Sequence, residues 1–309
     1  MTNSTTTVAN GSTITPADQR IRSTVYLQLV FIILFWSSNW LVMKTALLNA
    51  SPFQFNFLRF WGSALVMAAL AFPLRVPLAP LAGERLPLAI VGILQIAGML
   101  AFSTIGLQYV GPGRAAVLVY TMQLWALPIG WLMTRERIRA MAWLGGAIGF
   151  AGLILFVNPR LINWHDPRVL MGNGLILCGA VCWALGSCFY RRYRFKSAFW
   201  TQTFWQVLWS AIVITPVPML VAQHRPLLFT SHLILALVFN WFCPTALAYF
   251  LWSKVLTVMP TSRAGQIVCL VPVLTFVESA IIFHERITSG VALGIFVIFL
   301  GMYLTVRSR

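Results

Sequence analysis

Apolar residues run along this chain in ten blocks. They lie at approximately 24–47, 52–72, 86–109, 114–134, 140–157, 171–190, 198–221, 232–254, 264–284 and 289–306. Each is close to the ~20 mostly apolar residues that an α-helix needs to cross the hydrocarbon core of a bilayer. The stretches between them are short, which leaves no room for a second soluble domain. Residues 1–23 are rich in Ser, Thr and Asn and hold no apolar run, so they predict a disordered cytoplasmic tail and not a cleavable signal peptide. The pattern predicts an all-α membrane protein with ten transmembrane helices.

The blocks repeat. At an offset of 149, residues 107–157 match 256–306 at 13 of 51 positions. The clearest piece is Glu136-Arg137-Ile138 against Glu285-Arg286-Ile287. Arg114-Ala115 falls on Arg263-Ala264, Leu144-Gly145 on Leu293-Gly294, and Gly152 on Gly301. Near the start of each copy the offset is 147, so that Trp36 faces Trp183 and Lys44 faces Arg191. Five helices per copy is an odd number, so the second copy enters the bilayer from the opposite side. The predicted organisation is a five-helix repeat at 24–157 followed by an inverted one at 171–306, an arrangement common among secondary transporters.

Charge changes the picture in two ways. Only 9% of the 309 residues are charged against 59% hydrophobic, where soluble domains carry roughly 25% charged residues. The net charge of +16 comes from 22 Lys and Arg against six acids. Those basic residues fall between apolar blocks, so they predict orientation and no nucleic-acid partner. With the amino terminus inside, fourteen basic residues are cytoplasmic and five are outside, which places both termini in the cytoplasm. Cys178, Cys182, Cys188, Cys243 and Cys269 all lie in apolar blocks and form neither a disulfide framework nor a zinc pattern. No Gly-x-x-x-x-Gly-Lys-[Ser/Thr] loop is present, which excludes ATP-driven transport by this chain. No paired acids, His/Asp cluster or Ser/His arrangement falls at spanning depth, so the chain is not expected to be an enzyme, and neither cofactor nor metal is expected. A receptor or adaptor would want a sizeable soluble domain.

The helix count, the five-plus-five repeat, the first-helix run Trp36-Ser-Ser-Asn-Trp-Leu-Val-Met-Lys44 and the Glu-Arg-Ile turns after blocks four and nine resemble the drug/metabolite transporter superfamily in its ten-helix, EamA-type branch. The resemblance covers 24–306 and extends, more narrowly, to the bacterial aromatic amino acid exporter of that superfamily. It implies a central cavity lined mainly by helices 1, 3, 4, 6, 8 and 9 and reached alternately from each side.

Polar residues inside hydrocarbon are costly and need a reason. Those near mid-depth are Asn39, Arg59, Gln95, Gln123, Gln206, Asn240 and Glu278. Interhelical hydrogen bonding, worth ~0.6–2 kcal/mol each, is the plain reading of any single amide. Taken together, Asn39, Gln95, Gln123 and Asn240 sit on four of the implied cavity helices, and amides can meet both an ammonium and a carboxylate. Aromatic and other side chains accompany them at helical spacing: Trp36 and Trp40, Trp183 and Ser187, Tyr120 beside Gln123, and Gln95, Met99 and Phe102 along one face. Apart from Phe102, the four amides and these companions form the predicted substrate site, with Glu278 and Arg59 as a coupling or gating pair. Pro128, Pro216, Pro218, Pro244 and Pro272 predict kinks or hinges. The glycines of blocks five and ten predict packing surfaces, or a dimer face. Glu136 and Glu285, each just before the following helix, are expected to favour that helix's positive end.

The reading that best joins these features is a secondary transporter exporting small amphipathic metabolites, aromatic amino acids first. An exporter of organic cations or of another metabolite is the alternative. The partners expected are lipids and a small-molecule substrate, with the chain a monomer or weak homodimer.

Overall fold

A computed structural model describes residues 16–134, 139–157, 167–220, 226–259, 267–285 and 288–307. Among these the regular structure is entirely helical. We label the helices α1 (Pro16–Ala46), α2 (Pro52–Ala71), α3 (Arg85–Leu107), α4 (Pro112–Tyr120 and Met122–Thr134), α5 (Ala140–Val157), α6 (Pro167–Tyr193), α7 (Phe199–Ile214), α8 (Ser231–Asn240 through Ala248–Val258), α9 (Leu270–Ile282) and α10 (Ser289–Arg307). Six are long and apolar enough to cross a membrane, namely α1, α3, α4, α6, α8 and the stretch Phe199–Leu220 that begins with α7. Three shorter apolar helices are Ala140–Phe156, Leu270–Ile282 and Ser289–Thr305. Helix α1 starts at Pro16, inside the stretch expected to be a tail. Residues 1–15, the Glu136-Arg137-Ile138 turn, Arg286 and Ile287 lie outside the described residues.

Local chemistry sets the helix ends. Ser51 caps α2 in a reciprocal box with Gln54, and Pro52 takes the first helical position. Thr230 caps α8 through its hydroxyl. Packing then turns the usual soluble pattern inside out. Large apolar side chains such as Leu65, Phe72, Ile154, Ile281 and Phe296 face outward. Asn56, Ser103, Thr104, Asn240 and Ser279 are buried, and Asn56 Nδ2 donates to Thr104 Oγ1 at 2.7 Å, joining α2 to α3. Such a molecule wants lipid around it, since water would meet its most apolar surface.

Two features recur at the spacing of the sequence repeat. Helix α3 carries a π-helical stretch at Gly92–Gly98, and α8 carries one at Trp241–Leu247, 149 residues on. The loop contacts also exchange. Leu228 N donates to Asn49 O at 2.9 Å, and at an offset of 147 the counterpart is the Leu81 loop against Lys196 and Ser197, where Leu81 N donates to Ser197 Oγ at 2.9 Å.

The glycine faces of α5 and α10 are occupied within the chain. A Cβ built on Gly301 would lie 2.3 Å from Gly149 N, and one on Gly152 would lie 2.5 Å from Ile298 N. These glycine faces are spent on each other, as packing surfaces within the chain.

Glu285 serves a different helix from the one expected. It accepts from Gly113 N and Arg114 N, both at 3.0 Å, and from Ser279 Oγ. The carboxylate therefore lies at the positive end of α4, reached from the far half of the chain, and not at the start of α10. Lys44 completes the arrangement by donating to the carbonyls of Leu107, Gln108 and Val110 at the end of α3.

At the opposite end of the molecule Glu84 accepts from Lys196 N at 2.7 Å and from Ser197 N and Oγ. Burial pushes its carboxyl up, but these hydrogen bonds and the Lys196 charge hold it below the ordinary glutamate range. Its contribution to stability is then complete above that range and fades as pH falls through the lowered value. Glu84→Gln is expected to cost about 1 kcal/mol at neutral pH, with the gap from wild type closing as the pH drops below ~4. Thermal unfolding in detergent at graded pH checks this, and a gap independent of pH would refute it.

Candidate functional site

The helices surround a cavity of about 450 Å³, within the ~300–1,000 Å³ typical of small-molecule sites. Its lining extends from Phe199, the first residue of α7, to Met43 near the end of α1 and Arg59 in the first half of α2. Of the residues predicted from the sequence, Trp36, Asn39, Trp40, Arg59, Gln95, Met99, Tyr120, Gln123 and Trp183 all line it. Helix spacing explains the α1 contribution: Trp36, Asn39, Trp40 and Met43 fall at i, i+3, i+4 and i+7 and form one stripe.

The aromatic wall is built across elements. Trp36 donates from Nε1 to the carbonyl of Pro244, at 3.0 Å, inside the π stretch of α8. Where the π stretch ends, Ala248 N–H donates to the carbonyls of Cys243 and Thr245 and passes over that of Pro244, which is left open to a side-chain donor. The Trp36 ring also sits 6.0 Å from both Tyr249 and Trp252. Gln95 donates to Ser187 Oγ at 3.0 Å. Ser187 itself lies outside the main lining, in a smaller neighbouring cavity of about 190 Å³ that shares Met122, Gln123 and Trp183 with the main one and includes Arg191.

Two expectations are corrected. Asn240 lies outside the lining. It is fully buried, and its Nδ2 donates to Ala236 O at 2.8 Å on its own helix. Arg59 and Glu278 do not pair. Glu278 is held by Ser37 Oγ at 2.9 Å and Ser38 Oγ at 3.3 Å, and both serines lie outside the α1 stripe that faces the cavity. The Arg59 guanidinium meets Met43 Sδ at 3.1 Å.

Other lining residues were not among those predicted for the site: Ser63 on α2, Thr203 and Gln206 on α7, and Thr245, Tyr249 and Trp252 on α8. Gln206 was legible as a mid-depth amide. The participation of α2 and α7 goes beyond the helix set that the resemblance implied.

An all-helical, lipid-facing protein with a mixed aromatic and amide cavity between its helices belongs to the class of polytopic membrane transporters. The chain is a member of the EamA-like transporter family, which matches residues 23–158 and again 170–307, and so of the drug/metabolite transporter superfamily, whose members are transporters and not enzymes. It is 25% identical over 281 residues to an uncharacterized transporter of Bacillus subtilis (strain 168), covering 91% of this chain and 96% of that one. It is 25% identical over 287 residues to a protein of Escherichia coli (strain K12) named "Probable amino-acid metabolite efflux pump", covering 90% and 93%. A solved crystal structure shares the fold with a TM-score of 0.63 at 20% identity, covering 93% of this chain and 98% of that one.

Proposed function

We propose that this protein is a secondary transporter that exports small amphipathic metabolites, aromatic amino acids foremost, across the bacterial inner membrane. In this reading ten helices cross the bilayer as two inverted five-helix repeats, 24–157 and 171–306, with both termini cytoplasmic. Substrate occupies the cavity and is released to either side by alternating access. The repeated π stretches and the exchanged loop contacts support the two-fold arrangement. The name of the E. coli relative supports an amino-acid-type cargo.

The observation that carries the proposal is the makeup of the cavity wall. Rings of Trp36, Trp40, Tyr120 and Trp183 share it with the amides of Asn39, Gln95 and Gln123. An aromatic ring gains roughly 0.5–1.5 kcal/mol from ring contacts beyond its area burial. That margin gives preference and not strict selection, so several aromatic and large apolar amino acids should be accepted.

Purified protein in liposomes provides the test. Asn39→Ala and Trp183→Ala are each expected to lower aromatic amino acid flux several-fold while the folded yield stays unchanged. Normal flux in both variants would remove the site from this cavity. Absence of flux in the wild type for every amino acid tried would end the amino acid reading.

A further inference from the structure

We propose that Arg59 is the anchor for a carboxylate on the cargo, so that the cavity selects acids and zwitterions over organic cations. The proposal deepens the transport reading above and rests on it for the location of the site.

The argument begins with what a buried guanidinium requires. Arg59 is 6% exposed, and a fork of N–H donors at membrane depth is costly unless it is met by acceptors. Other basic side chains of the bundle are met in this way. Lys44 reaches the carbonyls at the end of α3, and Arg114 Nε donates to Asn173 Oδ1 at 2.9 Å. Among the described residues Arg59 makes one hydrogen bond, to a thioether, which is a weak acceptor, and its only other partner is an electrostatic interaction with Tyr249, a neutral phenol in the same wall. Arg59 is also part of the wall of the cavity.

No acid answers it from within the wall. The described lining residues include neither Asp nor Glu, and Glu278 is turned away onto Ser37 and Ser38. A cavity with one fixed positive charge and no negative one repels a cation and attracts an anion. Asn39 supplies the complement. Its Nδ2 rests on the same Met43 sulfur, at 3.4 Å, and its Oδ1 is buried without a partner. The guanidinium can take the carboxylate of an α-amino acid, and a rotation of the Asn39 amide, whose oxygen is enclosed as it stands, would offer that oxygen to the ammonium. The aromatic stripe of Trp36 and Trp40 continues along α1 from that point, where a side-chain ring would lie.

The test compares ligands that differ only in their charged ends, using the purified full chain and titration calorimetry. The probes are phenylalanine, phenylacetate, phenylalaninamide and phenethylamine. Phenylalanine and phenylacetate are expected to bind the wild type about ten-fold or more tightly than the two compounds lacking a carboxylate, as one charge-assisted hydrogen-bond pair gives. Arg59→Gln should erase that preference by weakening the two acids alone, and Arg59→Lys should keep part of it. If Arg59→Gln does not fold, the wild-type series and Arg59→Lys still decide. Phenethylamine binding as well as phenylacetate, Arg59→Gln keeping the acid preference, or no binding by any of the four would each overturn the assignment. A carboxylate preference in binding, with no amino acid flux in liposomes, would leave the anchor standing and remove the transport reading.

Discussion

Replacing Gly301 by leucine is expected to eliminate folded protein. A Cβ at this position would lie 2.3 Å and 2.4 Å from the backbone N and Cα of Gly149, and 2.6 Å from the carbonyl oxygen of Gly145. All three are main-chain atoms, so no rotamer change relieves the clash, and α5 and α10 would have to separate. Ordinary overpacking costs ~1–3 kcal/mol. Separating two helices in contact along their length belongs with the exceptional losses above ~4 kcal/mol. Glycine at position 174 gives the control, since a Cβ there has nothing within 4 Å. Size-exclusion profiles and melting curves in detergent should show Gly174→Leu close to wild type and Gly301→Leu aggregated. A monodisperse Gly301→Leu would mean that the α5–α10 contact does not hold the fold.

Glu285→Ala is expected to be the most damaging change at a polar position. Its carboxylate accepts two backbone N–H groups at the start of α4 and the hydroxyl of Ser279. Hydrogen bonds to a charged group contribute ~1.5–3 kcal/mol net, the helix dipole adds ~0.3–1 kcal/mol, and three bonds that share one carboxylate give less than their sum. A loss of about 3–5 kcal/mol follows, with part of it recovered in Glu285→Gln, which keeps an acceptor oxygen. The Lys44 contacts anchor the same α3–α4 connection from its other side, so Lys44→Met should add little to Glu285→Ala if the two act on one element. Chemical unfolding of the single and double variants checks both points. Full additivity would show that the two ends of the connection are independent.

Much of the helical layout was legible because hydrocarbon imposes a length on each segment, and the blocks read from hydropathy fall on the helices observed. Boundaries drifted where helices pass beyond the apolar stretch, as at Pro16 and Pro167. The cavity wall on α1 was legible for a similar reason: Trp36, Asn39, Trp40 and Met43 keep strict α spacing. Helix α3 shows where that logic stops. Spacing put Gln95, Met99 and Phe102 on one face, yet Gln95, Ile96, Met99 and Leu100 line the cavity and Phe102 does not. The π stretch at Gly92–Gly98 underwinds the helix, so residues after it lag behind their ideal positions. Asn240 was placed by its depth and by its helix, and neither says which way a side chain faces. The Arg59–Glu278 pair was inferred from scarcity of charge, and the serines on the other side of α1 that hold Glu278 gave no signal distinct from the many other small residues. The role of Glu285 at α4 needed a contact between the two halves, which no local pattern contains.

The glycine seam between α5 and α10 also constrains synthesis. Its two sides are the last helix of each half, so α5 emerges with its narrow face unmatched while about 150 further residues are made, a wait of roughly 8–30 s at ordinary translation rates. During that interval the groove must be covered by lipid or by the insertion machinery. Helix α10 is what displaces that cover, so a nascent protein interrupted before it carries an open groove wherever it goes.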